Sequence, residues 1–507
     1  MNIAKLKAVQ ALKRRLQGLI ARQHSLVSDG MFTMIAKGTS QLVQLLIFII
    51  GARVLTSAEF GFFAFTSAFV VMLIVLAEGG WGEFLMKSHN READYDQVAT
   101  TAMISGLIVS TLALAGALAM GSWFGDMLHL EILVISSVLI FACALSTIYD
   151  GILVAQGRLK DQAKIRIISE LVGLAVVAAG LWSGWNIIAL FAGRLAAQLT
   201  SLGCSMLAVL WLPKIRLTRP FLREILGFSR HILANRLIVF LRSYSATLAV
   251  GGFLGLAEAG YYRAAERIVA SISELLAEPA RLLGWVVFRK ARDRQPQDIA
   301  GGNARIATAA NSFVVLLIAI AAPFYLGLSL ASGALINFVL GDAWMPAAIV
   351  VSILAIRQLL LIPAAIIEPL LSMVGELRRL PPIALMNGGI SIALIVALAP
   401  FGLIPLALGQ VAVGAFWLGT MIWLQQRHGG LDWSRIARRC GPTLAALGAM
   451  LLADFALNYI TLPAALPNAL TTGFQVAGGA IAYVAVLAIL HKLVVATAEP
   501  LAQQRNS

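Results

Sequence analysis

Stretches of about 20 apolar residues follow one another along this chain at intervals that leave almost no room for anything else. A hydrocarbon layer about 30 Å thick is crossed by a helix of that length, because a helix satisfies its own backbone where no water is present. Fourteen such spans are expected, at 31–54, 61–86, 98–121, 132–155, 165–184, 187–212, 230–254, 262–288, 307–331, 345–372, 382–400, 403–425, 441–461 and 470–490. The fold class that follows is an all-α polytopic membrane protein with about 14 transmembrane helices. Of 507 residues, 59% are apolar and only 13% charged, which excludes a water-soluble globule.

The remaining charges set the orientation. Positive residues are retained on the cytoplasmic side, and with the N-terminus inside, 30 of the 39 Lys and Arg fall on inner segments. The loops around 122–131, 185–187, 332–344, 401–403 and 462–469 contain neither residue. Both termini are therefore expected in the cytoplasm. The formal net charge of +14 points to anionic headgroups or an anionic cargo rather than to nucleic acid. Cys143, Cys204 and Cys440 are far apart, with no CxxC, so neither a disulfide framework nor a zinc site is expected, and no cofactor.

Before the first span, Ile3, Leu6, Val9, Leu12, Leu16 and Leu19 recur at helical spacing among Lys and Arg. This pattern predicts a basic amphipathic segment over 1–30 lying on the inner leaflet, in contact with membrane lipids, and not a cleavable signal peptide.

The two halves resemble each other. Ala58-Glu59-Phe60-Gly61-Phe62-Phe63 matches Ala257-Glu258-Ala259-Gly260-Tyr261-Tyr262, and the same register sets Lys37 against Arg236. Asp150-Gly151-Ile152-Leu153 followed by Gly157-Arg158-Leu159-Lys160 matches Glu368-Pro369-Leu370-Leu371 followed by Gly375-Glu376-Leu377-Arg378. Both matches are six spans apart, an even number, which predicts two parallel six-helix lobes. The division expected is 31–227 for the first lobe, 228–437 for the second, and 438–507 for a C-terminal helix pair and tail.

Nine cations lie outside the inner segments, and one near mid-bilayer costs about 2.5–3.5 kcal/mol on insertion scales. Arg53 and Arg263 stand where they can snorkel to the outer edge. Lys37, Arg236 and Arg242 have no acid one turn away on their own spans, so they are expected to line a positive cavity suited to a phosphate. In the eighth span Arg263, Arg267, Ser271, Glu274, Glu278 and Arg281 recur every three or four residues. Arg267, Glu274 and Arg281 are secondary candidates for the cavity wall, the alternative being an ion-pair network of Glu274, Glu278 and Arg281. Glu78, Asp150, Glu274 and Glu368 are candidates for ion coupling, with Asp150 and Glu368 alternatively locking the cytoplasmic ends. Gly79-Gly80, Ile362-Pro363 and Glu368-Pro369 are expected bends.

No nucleotide-binding loop, HExxH or Gly-x-Ser-x-Gly occurs, so ATP hydrolysis is not expected. The outer loops are too short to assemble a catalytic constellation, and the chain is read as not an enzyme.

The segment Gly38 to Phe84, with Leu55-Thr56-Ser57-Ala58-Glu59-Phe60-Gly61-Phe62 and the Glu78-Gly79-Gly80 close, resembles the polysaccharide-export branch of the multidrug/oligosaccharidyl-lipid/polysaccharide flippase superfamily. Phe221-Leu222 to Phe228-Ser229, Gly260-Tyr261-Tyr262-Arg263-Ala264-Ala265 and Leu340-Gly341-Asp342-Ala343-Trp344 fit it too. The resemblance covers about residues 30–430. It implies a V-shaped two-lobe transporter of the bacterial inner membrane that carries a polyprenyl-pyrophosphate-linked oligosaccharide outward by alternating access, for O-antigen or exopolysaccharide assembly. A polysaccharide polymerase and a chain-length regulator are implied partners. The alternatives are an ion-coupled exporter of drugs or metabolites and a peptidoglycan-precursor flippase.

Overall fold

The computed structural model describes residues 32–33, 36–87, 92–119, 130–293, 299–459 and 468–503. The segment 1–30, expected to be amphipathic, lies outside them. The described residues are helical with short turns, and they divide into two compact units, Met1–Leu241 and Arg242–Ser507.

The first unit contains α1 (36–54), α2 (Ser57–Glu78), α3 (Trp81–Lys87), α4 (Glu92–Ala119), α5 (Leu130–Ala155), α6 (Leu159–Trp182), α7 (Ile187–Val209) and most of α8 (Arg219–Phe253). The second contains the end of α8, then α9 (Leu256–Asp293), α10 (Ile299–Leu330), α11 (Ser332–Val339), α12 (Pro346–Leu361), α13 (Ile367–Met373), α14 (Leu380–Leu398), α15 (Leu403–Gly429), α16 (Trp433–Arg439), α17 (Gly441–Tyr459) and α18 (Asn468–Gln503). Ten helical segments are long and apolar enough to cross a membrane, and an eleventh is formed by α16 and α17 together, bent by 44°. Helix α1 and the charge-rich α8 and α9 bring the long helices among the described residues to the fourteen expected. This is a multi-pass membrane protein. Its outward faces carry exposed Leu42, Leu112, Leu207, Phe324, Phe338 and Leu452, a surface stable only against lipid.

Local sequence explains where the helices begin and end. Thr56 caps α2 in a capping box, its hydroxyl accepting from Glu59 N–H while the Glu59 carboxylate accepts from Thr56 N–H at 2.9 Å. Both repeated corners close alike. Gly157 and Gly375 have φ of +72° and +80°, and the following amides, Arg158 and Glu376, each donate 2.8 Å bonds to the carbonyls of Leu153 and Leu371. That pattern is a Schellman turn, which needs a residue without Cβ at the left-handed position. The second repeat match is thus a repeat of structure. The first also lies at equivalent places, in the opening turns of α2 and α9.

The first unit is cored by Trp81, Phe84, Leu85, Val98, Ile148, Ile152, Phe221 and Ile225, joining α3, α4, α5 and α8. The second is cored by Phe288, Ile306, Val314, Ile362, Ile366 and Leu370. Here the tenth span breaks. Helix α12 stops at Leu361, residues Ile362–Ile366 form a 3-10 turn around Pro363, and α13 resumes at Ile367. Proline lacks the N–H that would continue the helix.

Candidate functional site

Among the described residues, each unit holds a polar cluster beside a break in a span. In the first, the second span is interrupted at Gly79 and Gly80, both with positive φ, between α2 and α3. A helix end leaves carbonyls without partners, and at depth in a membrane they need substitutes. The Ala77 carbonyl receives the Trp81 indole N–H at 2.9 Å and the Ser105 hydroxyl at 2.7 Å, and the Gly79 carbonyl receives the Ser229 hydroxyl. A Cβ on Gly80 would lie 2.9 Å from Ile232 of α8, so the close approach of that helix depends on glycine there. One further turn along α8, Arg236 bridges the break, donating to Glu78 of α2 at 2.6 Å and to Glu83 of α3 at 2.6 Å. These side chains are 24 to 36% exposed, so the bridge is shielded enough to hold its geometry. Helix α3 is fixed in turn against α5, where a Cβ on Gly82 would stand 2.6 Å from the Thr147 carbonyl oxygen.

The expectation that Arg236 lacks a counter-charge is therefore corrected. No acid stands one turn away on α8, but two arrive from helices more than 150 residues earlier. Glu78, a coupling candidate, is engaged by this arginine, and Asp150 stands near enough to repel it. Asp150 itself faces Gln162 and Arg166.

In the second unit a cleft of about 410 Å³ is lined by Arg242 of α8, by Ser273, Glu274, Ala277, Glu278 and Arg281 along one face of α9, by Ala364, Ala365, Ile367 and Glu368 of the broken span, and by Leu380, Ala384 and Trp417. The α9 residues share the cleft because their spacing of one, three or four keeps them on one side of a helix. The cleft wall is anchored by Ser273, whose hydroxyl accepts from Gln358 at 2.8 Å and from Tyr325 at 3.1 Å. Close packing fixes α13, since a Cβ on Gly284 would lie 3.2 Å from Pro369. Arg281 pairs with Glu278 at 2.8 Å and Glu368 at 3.4 Å. Among the described residues, neither Arg242 nor Glu274 makes a hydrogen bond or ion pair. Three carboxylates face two guanidinium groups, so the uncompensated positive cavity expected at Arg242 is also corrected.

Of the other candidates, Lys37 is exposed on α1, and two turns on Gln44 of the same stripe donates to Glu170 at 3.0 Å. Arg267 is half-buried on α9, with Glu274 its principal counter-charge. The structure thus unites Arg242, Arg281, Glu274 and Glu368 in one cleft and Arg236 with Glu78 in another cluster, and leaves Lys37 and Arg267 outside both. Glu83, Ser229 and Trp417 are the residues that sequence reasoning missed. The Glu-Gly-Gly break flanked by a second acid at Glu83 was the available signal for the first two, whereas nothing distinguishes Trp417 from the chain's other tryptophans.

Residues 50–349 match the family model described as "Polysaccharide biosynthesis protein". The chain belongs to this family. Its fold is shared with solved transporters. A structure titled "Lipid II flippase MurJ, inward closed conformation" is 15% identical, superposes with a TM-score of 0.67, and is covered over 100% of its length by 92% of this chain. An inward-facing multidrug resistance transporter of the MATE family gives a TM-score of 0.57 at 13% identity, with 78% of this chain covering 98% of that one. No curated protein matches the sequence at a significant level. A member of a polysaccharide biosynthesis family thus has the fold of these transporters, the fold that the resemblance in Gly38 to Phe84 implies.

Proposed function

We propose that the protein is a flippase that moves a polyprenyl-(pyro)phosphate-linked oligosaccharide across the bacterial inner membrane by alternating access, with both termini in the cytoplasm. Its products would feed O-antigen or exopolysaccharide assembly, alongside a polysaccharide polymerase and a chain-length regulator. The observation that carries the reading is membership of a polysaccharide biosynthesis family in a chain with the fold of a lipid flippase. A lipid-linked glycan is the intermediate that joins those two properties. It has an anionic end and a polar glycan, and both must be sheltered from the hydrocarbon.

On this reading Lys37 attracts the phosphate end, and the cleft of the second unit contributes Arg242, with Arg267 nearby, to the passage of the cargo. Arg236 and Arg281 act through their ion pairs, holding helices in place. Energy enters through an ion taken up by one of Glu78, Asp150, Glu274 or Glu368, since the chain has no nucleotide-binding loop.

A deletion strain tests the proposal. The expected outcome is loss of surface polysaccharide and build-up of the lipid-linked oligosaccharide in the cytoplasmic leaflet, both restored by the wild-type gene. Sensitivity to drugs with normal polysaccharide would favour the exporter. Altered chain length with normal delivery to the outer leaflet would favour a polymerase, and lysis with retained peptidoglycan precursor would favour that branch of flippases.

A further inference from the structure

The cleft of the second unit has a chemistry that a phosphate does not explain. Its lining carries three carboxylates, Glu274, Glu278 and Glu368, and two guanidinium groups, Arg242 and Arg281, with Arg267 facing Glu274 from outside the lining. Arg281 already holds two of the carboxylates. What remains is Glu274, whose carboxylate faces Arg267 but makes no hydrogen bond among the described residues, one donor, Arg242, and the half-buried ring of Trp417, whose indole N–H has no hydrogen-bond partner among them. Among the described residues a phosphate would find a single guanidinium, Arg242, that no acid engages, beside three carboxylates, and so would gain little here. An apolar drug would leave Glu274 and Arg242 desolvated and unpaired. A ligand with hydroxyls that both donate and accept, and with a C–H face to lay on an aromatic ring, satisfies all three. The volume, about 410 Å³, falls in the range of small-molecule sites.

We propose that this cleft is the subsite for one uncharged sugar ring of the transported glycan, with Trp417 as its stacking face, Glu274 accepting from a sugar hydroxyl and Arg242 donating to another. The proposal rests on the flippase reading and adds to it the end of the cargo that the second unit recognises. It makes Trp417 a binding residue that no motif marks. It also separates the cargo's two ends chemically, neutral sugar at this cleft and phosphate elsewhere. Trp417 is positioned for this by packing on Ile367, Leu371, Met421 and Leu424, which fixes the ring against the broken tenth span.

Saturation-transfer NMR on the full-length protein in nanodiscs tests the assignment, with methyl glycosides of neutral hexoses, methyl glucuronide and inorganic pyrophosphate as probes. At least one neutral glycoside is expected to receive saturation on its ring C–H protons. Glu274→Gln and Trp417→Ala should each weaken that binding about tenfold, Trp417→Phe by no more than threefold, and the glucuronide should bind more weakly than its neutral counterpart. Glu274 makes no hydrogen bond or ion pair among the described residues and faces Arg267 only at longer range, so Glu274→Gln carries the test if Trp417→Ala does not fold. Binding of no neutral glycoside, equal binding by Glu274→Gln, or Trp417-dependent binding of pyrophosphate or glucuronide in preference would overturn the proposal. Cells distinguish its failure from that of the flippase reading. Normal glycan export by Glu274→Gln, in a strain that the deletion renders defective, removes the subsite and leaves the flippase. Glycoside binding with normal leaflet distribution in the deletion strain removes the flippase.

Discussion

Arg236 and Arg242 stand less than two turns apart on α8, and their surroundings differ in every respect. Arg236 holds Glu78 and Glu83 at 2.6 Å each, across a helix break whose free carbonyls are also satisfied by side chains. Arg242 is exposed in a cleft and makes no ion pair among the described residues. An intramembrane arginine therefore does not announce its role by residue type or by depth. The first arginine is committed to architecture, because removing it would strand two partly buried carboxylates. The second is available to a ligand.

The comparison is broken most directly by neutralising each in turn. Arg236→Gln should destabilise the protein by about 2–4 kcal/mol, near the lower part of the range for a broken buried pair because the groups keep some exposure. Reversible unfolding in mixed detergent measures it, and an unchanged midpoint would show that the bridge is dispensable. Adding Glu78→Gln and Glu83→Gln to that variant should recover at least half of the loss, since no charge is then left without a partner. Gly82→Ala probes the same junction without touching charge. The added methyl meets a backbone oxygen that cannot swing away, and the cost should be about 1–3 kcal/mol.

Arg242→Gln, by contrast, should leave the unfolding midpoint within about 0.5 kcal/mol of wild type while lowering glycan export. If it destabilised as Arg236→Gln does, the two arginines would not differ as described. The smallest effect is expected at the corner after the tenth span, where Arg379 hydrogen-bonds Glu376 at 2.6 Å and holds its carboxyl below the usual range. A depressed carboxyl contributes stability above its unfolded value and loses it as pH falls through its folded value. Glu376→Gln should therefore match wild type below the folded value, diverge as pH rises through it and differ fully above about pH 4, and only slightly, because the pair is open to solvent.

The helices were legible in the sequence because a run of about 20 apolar residues has one reading in a membrane. The repeated corners were legible as well, and Gly157 and Gly375 adopt the same left-handed turn. The partners of Arg236 were not. Spacing along one helix reports which residues share a face, whereas Glu78 and Glu83 reach the arginine through a fold that sets α8 on the α2–α3 break. The alternative of an ion-pair network for Arg281 was half legible. Glu278 lies one turn away and pairs with it, whereas its second partner is Glu368 on another helix rather than Glu274. Trp417 was invisible for a related reason. An apolar aromatic in an apolar span has no pattern of its own until a cleft opens beside it.

Reconstitution decides the central claim. The purified protein would be placed in sealed vesicles containing polyprenyl-pyrophosphate-linked oligosaccharide distributed over both leaflets, and a glycosidase that cannot cross the membrane would be added outside. Protein-free vesicles should lose only the outer half of the glycan. Vesicles containing the wild-type protein should lose nearly all of it, and those with Glu274→Gln should lose it more slowly. Protection of the inner half despite correctly inserted protein, with or without an imposed ion gradient, would contradict the account.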